Sequence, residues 1–284
     1  MASVVTRKSP DDKPRYDVRY RDPDGRQRKR TFHKKRDAND YAATVEADKL
    51  RGAYVDRNAA RETFRAYADR WLAAQMFAPS TRAVVKSRLK NHVYPILGGK
   101  SLGSIRASTV QVWSKSLAGL APTTRHGIYG HVQAILTTAV DDQVIARNPC
   151  NAPSVTRPRK RSPKITPWPR ERVPAMEAAL PDRYTVVVAI GAGLGLRQGE
   201  IFGLAVEDID FLRREATIRR QVAIADYRLV FAPPKYGKER TVPLAPSVAD
   251  AMARHLTRYP ALPHTLPWIE ADGPDVTAQL VWST

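Results

Sequence analysis

Two short segments hold the residues whose types and spacing could do chemistry. The first is Gly195-Leu-Arg197-Gln-Gly-Glu200, inside a glycine-rich run from Gly191 to Leu204. A helix ending on the glycines, a tight turn and a new helix opening at Arg197 would set a guanidinium beside main-chain N–H groups. Both favour one phosphate. A lone arginine more often just faces solvent. A dinucleotide loop does not fit, because the third glycine of G-x-G-x-x-G would fall at Leu196. The second segment is Ala232-Pro-Pro-Lys235-Tyr-Gly-Lys238-Glu-Arg240-Thr-Val-Pro-Leu244. It reads as a hairpin that turns around Tyr236-Gly237, with Arg240 to Leu244 as the return strand. Lys235 and Lys238 then stand at the tip, mobile enough to reach a bound ligand, although most turn lysines are merely solvated. A single cysteine, Cys150, excludes a disulfide framework and a cysteine-based zinc site.

The surroundings of these segments are strongly basic. The chain has 284 residues and a net charge of +19, from 47 Lys and Arg against 28 Asp and Glu. A surplus this large predicts a polyanionic partner, nucleic acid by default. It is concentrated. Residues 1–36 hold 13 Lys and Arg against 5 Asp, and residues 145–172 hold 8 against the single acid Glu171. The 43% hydrophobic content supports globular cores. No apolar run reaches the roughly 18–20 residues of a membrane span. The N-terminus has no apolar stretch of the secretory kind. These features, with the lone cysteine, predict a cytoplasmic protein that is nucleoid-associated when bound.

At about 100–200 residues per domain, two or three domains are expected. Residues 1–58 read as β-β-β-α. Arg15 to Arg21 alternates with period two, Asp22-Pro-Asp-Gly25 is a turn, and Arg26 to Phe32 is a cationic partner strand. Val4-Val5 is a candidate first strand, and Asp37 to Leu50 a helix with Tyr41, Val45 and Leu50 near one stripe. The strand residues Arg26, Arg28, Lys29 and Arg30 are candidate DNA contacts. Residues 59–150 read as four helices: Thr63 to Phe77; Pro79 to Leu97 with a Ser80 or Thr81 cap; one capped by Ser108; and one from Pro122 stopped by Asn148-Pro149. Arg82, Lys86, Arg88, Lys90 and Arg125 are its candidate DNA contacts. Residues 151–167 form a proline-rich basic linker carrying Arg157, Arg159, Lys160 and Arg161. Residues 168–284 mix helices with strands at Glu215 to Val222, Tyr227 to Phe231 and Arg240 to Leu244, and end on an apolar strand-like stretch from Val276 to Trp282.

Taken in order, Gly195-Leu-Arg197-x-x-Glu200-x-x-x-Leu204, Asp208-x-Asp210 and Pro234-Lys235-Tyr-Gly-Lys-Glu-Arg240-Thr-Val-Pro-Leu244 resemble the tyrosine recombinases, or phage integrases. The upstream modules are similar too, so the resemblance covers nearly the whole chain. It implies a mainly α fold with small β-sheets: an arm-type β-β-β-α DNA-binding module, a four-helix SAM-like core-binding domain and an α+β catalytic domain. It implies site-specific recombination at double-stranded DNA attachment sites through a 3′-phosphotyrosyl intermediate. Arg197 would grip the non-bridging oxygens of the scissile phosphate, Glu200 would hold that arginine, and Lys235 would protonate the leaving 5′-oxygen, with Lys238 as its rival. Lys238 and Arg240 would also touch DNA. No metal or other cofactor is implied, since the phosphotyrosine bond conserves the energy of the phosphodiester. The implied partners are other protomers in a tetramer on DNA, and DNA-bending or excision factors.

The family also uses a His-x-x-Arg segment and a tyrosine nucleophile. His255-Leu-Thr-Arg258 has the right letters, but it follows the Val-Pro-Leu strand too soon, within a helical stripe, and Tyr259 follows Arg258 directly. It reads as a coincidental match. The expectation is a catalytic domain that stops before its nucleophile, leaving Val276, Leu280, Val281 and Trp282 exposed, with negligible strand cleavage by this chain. Two other classes compete: a non-catalytic DNA-binding protein acting as a repressor or decoy, and, more weakly, an RNA-binding sheet, since Tyr16, Tyr20 and Phe32 do not form a recognised stacking pattern.

Overall fold

The computed structural model describes residues 2–8, 13–23, 25–51, 54–55, 58–160 and 166–282. The chain divides into two compact units, Met1–Pro163 and Lys164–Thr284.

The first unit opens with an antiparallel sheet in the order β1-β2-β3: β1 (Ser3–Lys8), β2 (Pro14–Arg21) and β3 (Gln27–Phe32). Asp22 makes the β2–β3 turn. Its backbone bonds to Arg26 and Gly25, its carboxylate accepts from Arg26 N, and Gly25 sits at φ +81°. Helix α1 (Lys35–Leu50) covers one face of the sheet. Val18, Tyr20, Ala38, Val45 and Tyr54 are buried there, with Val4, Tyr16, Phe32 and Tyr41 packed against them. Leu50 departs from the expected stripe and is exposed.

The helical part follows: α2 (Phe64–Ala74), α3 (Pro79–Arg88), α4 (Ala107–Ser116) and α5 (Pro122–Asp141). Their apolar stripes close on a core that includes Phe64, Leu89, Trp113, Ile128, Tyr129 and Ile135. Beyond Arg88, helix α3 continues through Leu89–Gly98 with the wider i→i+5 spacing. Pro95 lies in that stretch, where the missing N–H and the ring clash disfavour regular i→i+4 bonding. Several expected helix boundaries differ, among them the end of α2, which stops at Ala74 and not at Phe77. Helix α3 starts at Pro79 after Ala78, so Ser80 and Thr81 lie inside its first turn. Helix α4 starts at Ala107 after Arg106, so Ser108 is not its cap. In both, fixed backbone geometry and packing set the start without a hydroxyl. Helix α5 ends at Asp141, and Asn148 instead caps a single turn at Pro149–Asn151 by accepting from Cys150 N.

The second unit holds α6 (Arg172–Ala179), α7 (Asp182–Leu194), α8 (Gln198–Phe202) and α9 (Pro246–Arg258) around short sheets. Strands β4 (Ile209–Asp210), β5 (Glu215–Ile218) and β8 (Arg240–Pro243) form one sheet in the order β4-β5-β8. Strands β6 (Gln221–Ala225) and β7 (Arg228–Ala232) form a hairpin, and β9 (Leu262–Pro267) pairs with β10 (Asp275–Leu280). The expected β7–β8 hairpin is therefore corrected. Strand β7 pairs back with β6, and β8 pairs with β5, with Ile218 opposite Arg240. Pro233 and Pro234 follow β7 directly and have no N–H to extend a ladder. The single expected strand from Glu215 to Val222 is likewise two strands, broken at Arg219 and Arg220. The C-terminal apolar residues are not exposed as expected. Leu280 and Val281 are buried, and Trp282 packs on Tyr184 and Phe202 with ring centroids 5.4 and 5.1 Å away. Val281 N donates to Leu204 O, which ties this end of the strand to the segment after α8.

Candidate phosphate site and nucleic-acid surface

Gly195, at φ +62°, ends α7 in the left-handed conformation and lets the chain reverse within two residues. Leu196 buries its side chain in the core and Arg197 becomes the residue before α8. Two further glycines fix how α8 lies. A Cβ on Gly199 would meet Val222 O at 2.7 Å, and one on Gly203 would meet Gln221 Cα at 2.8 Å. The helix therefore rests directly on the β6 main chain. Glu200, fully buried on that helix, points its carboxylate at two arginines.

The geometry is closed around that carboxylate. Oε2 accepts from Arg197 N at 3.0 Å and from Arg240 Nη2 at 2.7 Å. Oε1 accepts from Arg197 Nη1 at 2.9 Å and from Arg240 Nη1 at 3.1 Å. The Arg240 guanidinium, then the Arg197 main chain and side chain, hold the Glu200 carboxyl down at about 2 despite its burial. Arg240 is correspondingly raised above its ordinary value. Arg197 keeps 56% of its side chain exposed beyond this anchor. Two arginines and one glutamate leave a net positive charge that an anion would neutralise.

Lys235 and Lys238 lie on the exposed turn leading into β8. Tyr236 and Gly237, at φ +71° and +68°, form its bend, and Lys235 Nζ lies 5.3 Å from the Tyr236 ring. Downstream, Asp208 is buried beneath the chain that leaves α8. It accepts from Ala205 N at 3.1 Å and from Arg220 Nη1 at 2.7 Å. Burial raises its pKa against these bonds. Asp210 instead bonds Arg213 N at the turn after β4.

His255 and Arg258 have other engagements. His255 is buried, and burial lowers its imidazole below the usual value. Arg258 Nη1 lies 2.6 Å from Asp182 Oδ2, which also accepts from the Tyr259 hydroxyl at 3.1 Å. These bonds fasten α9 to the start of α7.

The basic residues of the N-terminal sheet sort by face. Arg28 and Arg30 alternate with Phe32 on the α1 side: Arg28 bonds Asp22, and the Arg30 guanidinium lies 4.6 Å from the Tyr41 ring. Lys29 stands on the uncovered face, opposite Arg19, which shares that face of β2 with Asp17 and Arg21. Arg7 and Arg15 share that face. At its centre Asp17 is buried, accepting from Thr31 Oγ1 at 2.6 Å, with Lys29 and Arg7 at 3.1 and 3.2 Å. The Thr31 bond leads the causes that lower its pKa. Sequence reasoning missed Arg7, Arg15, Arg19 and Arg21 as a surface, although the parity of β2 and β1 carries the signal. Arg26 is exposed at the turn.

In the helical part, Lys86 and Lys90 are exposed. Arg82 donates to Leu72 O and Gln75 O, closing the end of α2. Arg88 lies over Gly127 and 3.2 Å from His131 Nε2, and Arg125 is half-buried. After a turn in which Val155 N donates to Ala152 O, the segment beyond residue 151 is pinned: Gln111 accepts from Thr156 N, and His126 Nδ1 is 2.9 Å from Pro158 O. This leaves Arg157, Arg159 and Lys160 exposed. Arg161 lies outside the described residues.

Residues 64–154 match the phage integrase central domain family. The prophage phiRv2 integrase of Mycobacterium tuberculosis is 29% identical over 252 residues, covering 86% of this chain and 67% of that protein. The integrase of Mycobacterium phage L5 is 26% identical over 197 residues, covering 68% of this chain and 52% of that protein. The chain thus spans about half to two thirds of the length of these relatives. Among solved structures, the Tn1549 transposon integrase in complex with circular intermediate DNA matches with a TM-score of 0.63 at 19% identity, over 78% of this chain and 71% of that one. A lambda integrase tetramer bound to a Holliday junction matches with a TM-score of 0.54 at 15% identity, over 85% and 68%. These two likenesses establish the fold. Together with the match over residues 64–154 and the named relatives, they make the chain similar to phage integrases in its central domain and in its fold.

Proposed function

We propose that this chain binds duplex DNA attachment sites for site-specific recombination and contributes the Arg197 and Lys235 part of the strand-exchange centre. One observation carries the reading: a half-exposed arginine whose inner edge is fastened to a fully buried carboxylate. That arrangement orients a guanidinium before any ligand arrives. It suits the bidentate grip of a phosphate and the charge that builds on it in a pentacovalent transition state. Lys235, on the exposed turn before β8, is the general acid for the leaving 5′-oxygen, and Lys238 is second in rank. The uncovered face of the N-terminal sheet, with Arg7, Arg19 and Lys29, and the basic segment Arg157 to Lys160 bind the flanking phosphates. Self-assembly into a tetramer on DNA, with bending or excision factors, follows the same reading.

The tyrosine nucleophile and the His-x-x-Arg pair are assigned to no residue of this chain, because His255 and Arg258 serve the packing of α9. Binding without cleavage is the consequence. A duplex with a nicked, trapping site, incubated with the chain, should give a salt-sensitive complex in a gel shift and no covalent adduct after denaturation. A covalent adduct would show that a nucleophile is present after all, and a complex insensitive to salt would contradict phosphate binding.

A further inference from the structure

By its place in the sequence, Arg240 is a candidate DNA contact. The structure gives both of its terminal nitrogens to Glu200, at 3.1 and 2.7 Å. This is a two-bond fork on a carboxylate, with 35% of the arginine side chain exposed. A carboxylate has about four good acceptor positions. At Glu200 the two bonds from Arg240 and the two from Arg197 fill them. From this shared occupancy we infer that Arg240 is a positioning residue, which holds Arg197 in its phosphate-gripping orientation through Glu200. The inference rests on the reading of Arg197 as a phosphate ligand.

The two arginines compete for one acceptor. Arg240 occupies half of the Glu200 carboxylate, so Arg197 can give that carboxylate only one side-chain nitrogen. The rest of its guanidinium stays available to a ligand. Without Arg240, two acceptor positions open beside a cation already bonded there. Arg197 then turns its fork onto Glu200, since a bidentate pair is the stronger arrangement. The charge balance shifts the same way: two arginines and one glutamate are net positive, whereas one of each is neutral. Arg240 is also the first residue of β8, five residues after Lys235, so the same bonds tie the lysine turn to α8.

The test is a double-substitution cycle in the full chain, using a duplex selected from a random-sequence pool by the chain itself. The readout is the slope of log association constant against log salt, to which each neutralised phosphate contributes about 0.9. Arg197→Ala should reduce the slope by the share of about one phosphate. Arg240→Ala should reduce it by the same amount, and the double variant by no more than either. Arg240→Lys, which retains charge and one donor, should restore part of the slope. Arg240→Gln fills a similar space, keeps the experiment readable if the alanine variant does not fold, and should reduce the slope as alanine does. Additive reductions in the double variant would make Arg240 a phosphate ligand in its own right and overturn the inference. An unchanged slope for Arg240→Ala or Arg240→Gln, beside a reduced one for Arg197→Ala, would overturn it too. An unchanged slope for Arg197→Ala would instead remove the phosphate reading itself, and the inference with it.

Discussion

Glu200 concentrates more interaction on one atom pair than any other carboxylate described in this chain: four hydrogen bonds, two cationic partners and no solvent. Its depressed pKa makes it a source of pH-dependent stability. The folded value is about 2, below the ordinary 4.5, so the contribution is complete above the ordinary value and disappears as pH falls toward 2. Glu200→Gln removes the charge from a buried ion pair. It should cost about 3 kcal/mol at neutral pH and flatten the acid limb of the stability curve between about pH 4.5 and 2. Thermal melts of both proteins across that range would check it, and parallel curves would contradict it. His255 acts with the opposite charge logic. Burial lowers its pKa, so it folds neutral, and protonation below its ordinary value of 6.5 draws stability away as pH falls. His255→Phe should therefore reduce the loss of stability as pH falls below about 6.5. An unchanged pH profile in a melt series would show that the ring accepts its charge in place.

At the scale of elements, α8 is too short to hold a position by its own hydrogen bonds. Its location comes from packing on the β6 main chain, which Gly199 and Gly203 allow by having no Cβ. Gly199→Ala would drive a methyl group to 2.7 Å from Val222 O. The expected cost is about 1–3 kcal/mol for overpacking, larger than the gain of up to ~1 kcal/mol in helix propensity. A denaturant midpoint lower than that of the parent would confirm this, and a higher one would mean the helix can lift off the sheet without loss. The β5–β8 pairing matters at the same scale. It brings Arg240 to the α8 end of the site, while the loop of Lys235 and Lys238 is left outside both ladders.

At the scale of the whole molecule, the surplus of +19 is divided between surfaces and scaffolding. Arg82, Arg28 and Arg30 serve helix ends, turns and aromatic faces, whereas Arg7, Arg19 and Lys29 stand on an uncovered sheet face. Arg19→Ala should lower the salt slope of duplex binding by about 0.9 for each phosphate no longer neutralised, with little change in melting temperature. Arg82→Ala should do the reverse, lowering the melting temperature and sparing the slope. If both variants moved the same readout, the division would be wrong.

Local pattern in the sequence was enough for the helical stripes and the β-β-β-α opening, through period two, period 3.6 and turn residues. The hold of Glu200 on Arg197 was implied by the family resemblance. Tertiary structure decided what is not local. It chose β5 as the partner of β8, assigned Arg240 to Glu200 across 40 residues, and divided one cationic strand between a covered and an uncovered face. It also buried Leu280 and Val281 against residues far earlier in the chain. The physical reason is that pairing and burial depend on which surfaces meet, and the residues that meet share no spacing in the sequence. A buried carboxylate takes whichever donors the fold delivers to it, and here the fold delivers two arginines.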